Sequence, residues 1–345
     1  MPSRTTRISR LACVAALLLA TLAAPLRAEA TTLRYAHFMP AASWQQQTLF
    51  LDWAAAVEAA SGGAAKVLVF PAQTLGKAPA GFDNAASGVA DIAWTVQGYT
   101  AGRFPLSQLV ELPGLFDTAE IGSCAFQRLY DSGALDAEYE AVKVLYVHTH
   151  APGHLHTATT PVRRLSDLEG LKIRRPTAVI GRLLTELGAE PVGLPAPRIY
   201  EYLQRGAIDG YMLPWEAVSG FRVDELTAHR TEFGFYALAF VVAMNRRVYE
   251  SLSAEARAAI DANSGMKWAL TAGRGYDAAD AAAAEALRSA IETSTIAEEE
   301  RAAWEAAAAR TREAYLADLD AVGLPGTETY EALKTYVAAC EAEHG

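Results

Sequence analysis

Alternating and helical hydrophobic patterns follow one another along the chain from position 33 onward. Short apolar or alternating runs at Leu33–Phe38, Lys66–Phe70 and Asp91–Val96 predict strands. Between them, Trp44–Ala59 and Phe82–Ser87 have apolar residues at helical spacing. A strand, a helix and a second strand of these lengths favour a parallel strand pair joined by a crossover helix. The pattern therefore predicts an α/β fold.

The same succession of elements continues through the middle of the chain. Strands are predicted at Lys143–Thr149, Ala207–Leu213 and Val241–Asn245, and helices at Ala178–Leu187 and Ile199–Arg205. From position 253 onward the sequence is rich in alanine, glutamate and arginine, which predicts helices to the end of the chain. A chain of 345 residues is long enough for two lobes rather than one core.

The first thirty residues have the pattern of an export leader. A basic start precedes the apolar run Leu11–Ala24, which is short for a membrane span, and Ala28-Glu29-Ala30 supplies small residues for cleavage. The pattern predicts a signal peptide at residues 1–30 and a periplasmic protein that begins at Thr31.

Charge narrows the choice of partners. The sequence carries a net charge of −10, and the leader, with four arginines and one glutamate, contributes +3, so residues 31–345 carry −13. A protein this acidic is a poor binder of nucleic acids and anionic membranes. Because no stretch after the leader has the pattern of a membrane span, direct membrane insertion is not expected.

Two cysteines lie beyond the leader, Cys124 and Cys340. An oxidising compartment permits a disulfide between them. Residues so far apart in sequence fit two separate buried thiols equally well, so the sequence leaves both states open.

One motif combines a turn, a short strand and two arginines. In the run LSDLEGLKIRRP, residues 165–176, Gly170 closes a polar turn, residues 171–173 alternate as a strand, and Pro176 stops further pairing. Arg174 and Arg175 are thus predicted at the carboxyl end of a strand, where open α/β sheets place ligands. The planar fork of arginine matches a carboxylate, although composition alone fits a solvated basic pair equally well.

This motif resembles that of the substrate-binding proteins of tripartite ATP-independent periplasmic (TRAP) transporters, the DctP-like family. The similarity runs from YAHFMP through PAQTLGK, GVADIAWTVQGY and ELPGLF to LQRGAIDGYMLPWEA and VAMNRRVYESL, and it covers most of the chain. The resemblance implies a two-lobed α/β protein of the periplasmic binding protein type II fold. It also implies a binding protein, not an enzyme, that closes on an organic carboxylate and delivers it to TRAP transporter membrane subunits.

The resemblance implies a division of the chain as well. Residues 31–150 with about 241–265 are expected to form the first lobe, and residues 151–240 the second lobe. Hinge strands are expected to join the lobes, and the helices of residues 266–345 to brace both.

The resemblance assigns roles to two residues. In this family the first arginine of the motif holds the carboxylate of the ligand, and it maps onto Arg174. A second arginine often lies on the preceding strand, where this sequence has His154. That departure favours a monocarboxylate with a less charged far end over a dicarboxylate.

Other candidates follow the predicted strands. Gln97 lies past the end of a strand and either contacts a ligand or bonds to nearby backbone. Trp215 offers either a flat apolar wall or a core side chain, and Glu216 is interpreted as a helix-start carboxylate rather than a ligand group. The predicted ligand contacts are Arg174, Gln97, His154, Trp215, Tyr236, Phe38 and His37.

A histidine cluster supports an alternative function. Four of the seven histidines lie in HTHAPGHLH, residues 148–156, where His148 with His150, or His154 with His156, share one face of a strand. Such pairs can ligate a metal, so the alternative is a periplasmic metal-binding protein. No cysteine or suitably spaced carboxylate completes a tetrahedral set.

Enzymatic motifs are absent from the sequence. It contains no G-x-S-x-G elbow, no H-E-x-x-H pair and no G-x-G-x-x-G after a strand, and the TLGK run at 74–77 lacks the upstream glycine of a P-loop. The sequence therefore predicts neither a catalytic residue nor a cofactor.

Overall fold

The structure, a computed structural model, describes residues 30–345. The predicted signal peptide, apart from Ala30, lies outside the described residues. The strands are β1 Thr31–Ala36, β2 Ala65–Phe70, β3 Ile92–Val96, β4 Val142–His148, β5 Gly153–Thr157, β6 Lys172–Arg175, β7 Glu190–Gly193, β8 Gly210–Leu213, β9 His229–Tyr236, β10 Phe240–Asn245 and β11 Glu292–Ser294. The helices are α1 Leu51–Ala60, α2 Gly81–Ser87, α3 Ala119–Asp131, α4 Ala178–Glu186, α5 Ile199–Gln204, α6 Trp215–Gly220, α7 Arg246–Ser251, α8 Ala254–Ala262, α9 Met266–Leu287, α10 Arg301–Ala321 and α11 Gly326–His344.

The first sheet has the strand order β2-β1-β3-β10-β4. β1 runs parallel to both β2 and β3, while β10 runs antiparallel to β3 and β4. The parallel strand pair predicted from the first hydrophobic runs is therefore confirmed. A π-helical turn, Gln45–Phe50, leads into α1 and places Gln45 and Phe50 among the buried residues.

The second sheet has the strand order β11-β9-β5-β8-β6-β7. β6, the strand of the arginine motif, lies parallel between β7 and β8, so that Arg174 pairs with Val192 and Tyr211. β11 adds to the edge by pairing parallel with β9. The prediction of helix throughout the region after position 253 is wrong here, because residues 292–294 leave the helical path and join the sheet.

Within the described range, the two sheets and their flanking helices form two α/β lobes, which confirms the predicted fold class. The chain passes between the sheets at residues 149–152, from β4 to β5, and again at residues 237–239, from β9 to β10. At the first crossing Gly153 is required, because a Cβ there would lie 2.2 Å from Cε1 of Tyr236.

The helices after position 265 pack against helices that flank each of the two sheets. α9 packs against α3 beside the first sheet and against α6 beside the second. α10 packs against α4, and α11 packs against α3. None of the helices in residues 30–345 has the length and apolar run needed to cross a membrane.

The two cysteines form a disulfide. Cys124 on α3 is bonded to Cys340 on α11, and their Cα atoms are 6.1 Å apart. Both side chains are fully buried. The bridge, which the sequence left open, ties the last helix to the first lobe.

Candidate ligand-binding site

A cavity lies between the two sheets, with about 350 Å³ of space that no atom fills, part of it open to solvent. The first sheet contributes Trp94, Val96 and Phe240, and the second contributes Arg174 and Leu213. Because the walls come from both lobes, movement of one lobe against the other opens or closes this space.

Aromatic rings form much of the wall. Trp94 packs against Phe38 with ring centroids 4.7 Å apart, and it stacks on Phe240 at 4.8 Å with an interplanar angle of 10°. β3 and β10 are neighbouring antiparallel strands, and their pairing brings Trp94 and Phe240 together. Flat apolar walls of this kind suit a ligand with an aromatic or aliphatic body. The remaining apolar lining residues are Met39, Val96, Ala196, Leu213, Pro214, Ala217, Phe221 and Leu238.

Arg174 brings a positive charge to the cavity although its side chain is fully buried. Its Nε donates to the Leu194 carbonyl at 2.9 Å, and its Nη1 donates to the Met212 carbonyl at 2.9 Å. Its Nη2 donates to the Tyr99 hydroxyl at 3.2 Å. A guanidinium has five N–H donors, so two remain available.

No carboxylate of residues 30–345 forms an ion pair with Arg174. Within this range, the hydrogen-bond acceptors of its guanidinium are two backbone carbonyl groups and the Tyr99 hydroxyl, which carry partial charges. Burying a charge without a counter-ion is unfavourable, and an anion in the cavity would relieve that cost. The geometry therefore favours a bound carboxylate.

Tyr99 lies beside this arginine, in the 3₁₀ turn Gln97–Tyr99 that follows β3. Its hydroxyl oxygen accepts from Arg174 Nη2 and from the backbone N–H of Ala196 at 3.0 Å. The hydroxyl proton is then left to donate. Tyr99 thus contacts the second lobe from the first and offers a donor next to the guanidinium.

His150 lines the cavity near Arg174 and is buried. Its Nδ1 is hydrogen-bonded to the Ala151 carbonyl, which can only accept, so Nδ1 carries the proton. Burial lowers the pKa of His150 to about 4. The hydrogen bond to Ala151 acts against this lowering, and the charge of Arg174 adds to it. At neutral pH the ring is therefore uncharged, with Nε2 as an acceptor.

Glu216 gives the cavity a second polar region. One carboxyl oxygen accepts from Gln45 Nε2 at 2.7 Å and from Trp44 Nε1 at 3.3 Å. Burial raises the pKa of Glu216 to about 8, and the charge of Asp280 adds to this rise. The two hydrogen bonds act in the opposite direction. The carboxyl is therefore mostly protonated at pH 7. Glu216 does lie in the first turn of α6, as interpreted from the sequence, but it also lines the cavity.

The structure places the predicted contacts at different depths. Arg174 and Phe38 line the cavity, whereas Gln97 does not. The Nε2 atom of Gln97 donates to the Phe240 carbonyl at 3.4 Å and to the Tyr139 hydroxyl at 2.5 Å. His37 bonds through Nε2 to Gln46 at 2.6 Å and accepts at Nδ1 from the Met39 backbone. These two side chains lie in the first lobe, behind the wall.

Three further predicted contacts cluster in or beside the second sheet. Trp215 is buried under Arg230, whose guanidinium carbon lies 4.1 Å from the ring centroid. His154 lies 6.2 Å from Trp215 between ring centroids. Tyr236 is buried against His150 at 5.5 Å, edge to face. None of Trp215, His154 and Tyr236 is among the described residues that line the cavity.

Sequence reasoning did not assign ligand contacts to Tyr99, His150, Gln45 or Tyr276, which all line the cavity. Tyr99 carried a usable signal, since it follows a predicted strand by three residues, close to Gln97. Tyr276 carried none, because α9 reaches the cavity only through long-range packing.

The histidine cluster is buried rather than arranged around an ion. His148 accepts from Trp94 Nε1 at 2.8 Å, and His156 Nε2 is hydrogen-bonded to the Leu213 carbonyl at 3.1 Å. Across the part of the chain that the structure describes, no group of three or more His, Cys, Asp or Glu side chains is placed to hold a metal ion. The metal-binding alternative therefore gains no support.

Two α/β lobes around a cavity, with a buried arginine that has no counter-ion among residues 30–345, are the architecture of a two-lobed solute-binding protein. The chain belongs to family 7 of the bacterial extracellular solute-binding proteins (DctP), whose family model matches residues 35–318. The resemblance to TRAP substrate-binding proteins is thereby confirmed.

Solved structures of similar proteins carry the same fold. A TRAP solute-binding protein from a marine metagenome, specific for aromatic acid ligands and in complex with metahydroxyphenylacetate, is 35% identical, covers 90% of this chain and 99% of its own, and has a TM-score of 0.86. One from Rhodoferax ferrireducens, in complex with copurified benzoate, is 35% identical over 91% of this chain and 100% of its own, with a TM-score of 0.87. One from Bordetella bronchiseptica, with bound (R)-mandelate and (S)-mandelate, is 27% identical over 90% and 99%, with a TM-score of 0.83.

Proposed function

We propose that this protein binds an aromatic monocarboxylate in the cavity between its lobes. The observation that carries the proposal is Arg174, which is fully buried at the cavity, has no counter-ion among residues 30–345 and keeps two N–H donors free. A carboxylate accepts two parallel hydrogen bonds from such a fork. The stacked rings of Trp94 and Phe240 then face the body of the ligand.

The ligands of the similar structures support an aromatic body. Metahydroxyphenylacetate, benzoate and mandelate each combine one carboxylate with one benzene ring.

Glu216 supports a single carboxylate. It lies beside Asp280, whose carboxylate accepts from the Glu216 backbone N–H at 3.1 Å, and no cationic side chain of residues 30–345 forms an ion pair with it. A second carboxylate in this region would meet like charge or force a proton to be taken up. This physical reason for a monocarboxylate is separate from the one that the family resemblance implies at His154.

Contacts across the cavity support closure of the lobes around the ligand. Tyr99 of the first lobe bonds to Arg174 and Ala196 of the second, and Gln45 bonds to Glu216. Closure removes water from the arginine–carboxylate pair and strengthens it. We propose that this closed form, exported to the periplasm, delivers the ligand to TRAP membrane subunits without catalysing a reaction.

Within this proposal the predicted contacts divide into two groups. Arg174 anchors the carboxylate, and Phe38 forms part of the wall. Side chains behind the wall hold these residues in place. That second group comprises Gln97, His37, His154, Trp215 and Tyr236.

The test is calorimetric titration of the purified protein with benzoate, phenylacetate and succinate. We expect the two aromatic acids to bind and succinate to bind far more weakly. Arg174→Ala should weaken benzoate binding roughly 100-fold or more, because it removes one partner of a buried charge pair. Arg174→Lys keeps the charge but loses the planar fork, and it should bind at an intermediate strength.

The neighbouring arginine supplies a matched control. Arg175 is half-buried, does not line the cavity and lies against Gly181 and Gly193. Arg175→Ala should retain benzoate binding. Near wild-type affinity in Arg174→Ala, or equal losses in both alanine variants, would contradict the anchor role.

A further inference from the structure

Two buried polar atoms close to Arg174 lack hydrogen-bond partners among residues 30–345: His150 Nε2 and the Tyr236 hydroxyl. Their rings meet edge to face at 5.5 Å between centroids. His150 lines the same cavity as Arg174, which places its ring near the guanidinium. Buried polar groups are nearly always hydrogen-bonded, so these exceptions indicate a missing partner.

The missing partner of His150 must be a donor. Its Nδ1–H is already used by the Ala151 carbonyl, so Nε2 has a lone pair and no proton. His150 lines the cavity, and with Nδ1 held against the backbone carbonyl, Nε2 is the ring nitrogen that is left without a partner. A carboxylate cannot satisfy this atom, because an ionised carboxylate only accepts. A hydroxyl can.

We propose that His150 Nε2 accepts a hydrogen bond from a hydroxyl group next to the carboxylate of the ligand, so that the site prefers 2-hydroxy aromatic acids. The inference rests on the proposed function, since Arg174 must hold the carboxylate for the hydroxyl to reach His150. Tyr236 packs edge to face against His150 and does not line the cavity, so no contact with the ligand is assigned to it.

The experiment compares mandelate, as separate enantiomers, with phenylacetate, which lacks only the hydroxyl. Calorimetry on the purified protein gives the ratio of their dissociation constants. We expect the tighter-binding enantiomer of mandelate to bind roughly 3- to 10-fold better than phenylacetate, the range of one neutral hydrogen bond. If the hydroxyl had no hydrogen-bond partner in the protein, it would lose its hydration when mandelate enters the cavity. Mandelate would then bind no better than phenylacetate.

Two variants assign the preference to Nε2. In His150→Asn the side-chain amide can still donate to the Ala151 carbonyl, but nothing occupies the Nε2 position. The dissociation constant of phenylacetate divided by that of mandelate should therefore fall to one or below. In His150→Gln the amide oxygen reaches toward the Nε2 position, and part of the preference should remain. A ratio is used because both ligands share any general effect of the substitution on the cavity.

Three results would contradict the inference or the proposed function. Equal affinities for mandelate and phenylacetate in the wild type would overturn the inference, with Tyr236 or water then satisfying Nε2, and would leave aromatic acid binding intact. An unchanged preference in His150→Asn would overturn the role of His150. Failure of both acids to bind the wild type would overturn the proposed function itself.

Discussion

Among the ionisable side chains that line the cavity, Arg174 is charged and Glu216 is mostly neutral at pH 7. Arg174 keeps its charge because a guanidinium is not deprotonated in proteins, and three hydrogen bonds hold it in place. Glu216 instead takes up a proton, since burial and the nearby Asp280 disfavour its charged form. The cavity is therefore cationic in one region and neutral in the other at pH 7, which matches a ligand with one charged end.

The charge state of Glu216 predicts a pH dependence of binding. The pKa of Glu216 is raised to about 8, so the carboxyl is protonated below that value and becomes negative above it. Ionisation places a negative charge in the cavity with the ligand carboxylate. Benzoate affinity should thus fall as pH rises, by up to about tenfold between pH 7 and pH 9.

Calorimetry at pH 7, 8 and 9 measures this effect. The Glu216→Gln variant keeps a neutral side chain of the same shape and has no proton to lose, so its affinity should stay level over this range. A wild-type profile as flat as that of the variant would show that Glu216 does not control binding.

The residues around β3 show what sequence alone could and could not place. The strand and its end were predictable from the hydrophobic run, and so was the presence of polar side chains beyond it. The 3₁₀ turn Gln97–Tyr99 then changes which residue faces the cavity: Gln97 turns toward Tyr139, and Tyr99 turns toward Arg174. Strand periodicity does not continue through such a turn, so a one- or two-residue shift in the contact is invisible in the sequence.

At the level of elements, strong local patterns were predictable and weak ones were not. β6 was predictable because a turn, an alternating triplet and a proline bound it, and the structure has it at Lys172–Arg175. β11 was not, since Glu292–Ser294 is only three residues long and has no alternating apolar pattern. It exists because the edge of β9 pairs with it, which is a long-range contact.

The disulfide between α3 and α11 leads to a prediction about stability. It closes a loop with a sequence separation of 216 residues, which restricts the unfolded chain strongly. Loss of such a bridge is expected to lower the free energy of unfolding by about 2–5 kcal/mol. Thermal denaturation with and without dithiothreitol should show a lower melting temperature for the reduced wild type.

A double variant serves as the control for reduction. Cys124→Ala with Cys340→Ala should melt at about the temperature of the reduced wild type and should not respond to dithiothreitol. If the wild type also fails to respond, the bridge does not form or contributes nothing measurable to stability.

For the whole molecule, burial of ionisable groups sets how stability depends on pH. Burial lowers the pKa of five histidines to between about 3 and about 4, so the folded protein binds fewer protons than the unfolded chain below about pH 6.5. Burial raises the pKa of six carboxyls, and in three of them the rise is large, so the folded protein keeps protons that the unfolded chain has lost. The histidines are His37, His148, His150, His154 and His156, and the three carboxyls with the large rise are Glu111 (about 7), Glu216 (about 8) and Asp280 (about 6).

These two groups act in opposite directions, and their pH windows differ. Stability rises with pH wherever the unfolded state binds more protons than the folded state. Up to about pH 6.5 the five histidines produce this difference, and their effect exceeds the opposite effect of Glu111, Glu216 and Asp280. Above that pH the histidines lose their protons in the unfolded chain too, while Glu111 and Glu216 still hold extra protons in the folded protein. Stability should then decline toward pH 8, which puts the maximum at about pH 6.5–7.

Melting temperatures measured from pH 5 to pH 9 without ligand would show this maximum. Glu216→Gln should flatten the decline above pH 7, because it removes the group with the higher folded-state pKa, while leaving the rise below pH 6.5 in place. A wild-type melting temperature that continues to rise between pH 7 and pH 8 would mean that Glu216 is ionised in the folded protein at neutral pH. In that case the cavity would hold a negative charge opposite Arg174, and the preference for a single carboxylate would rest on direct repulsion rather than on a neutral partner.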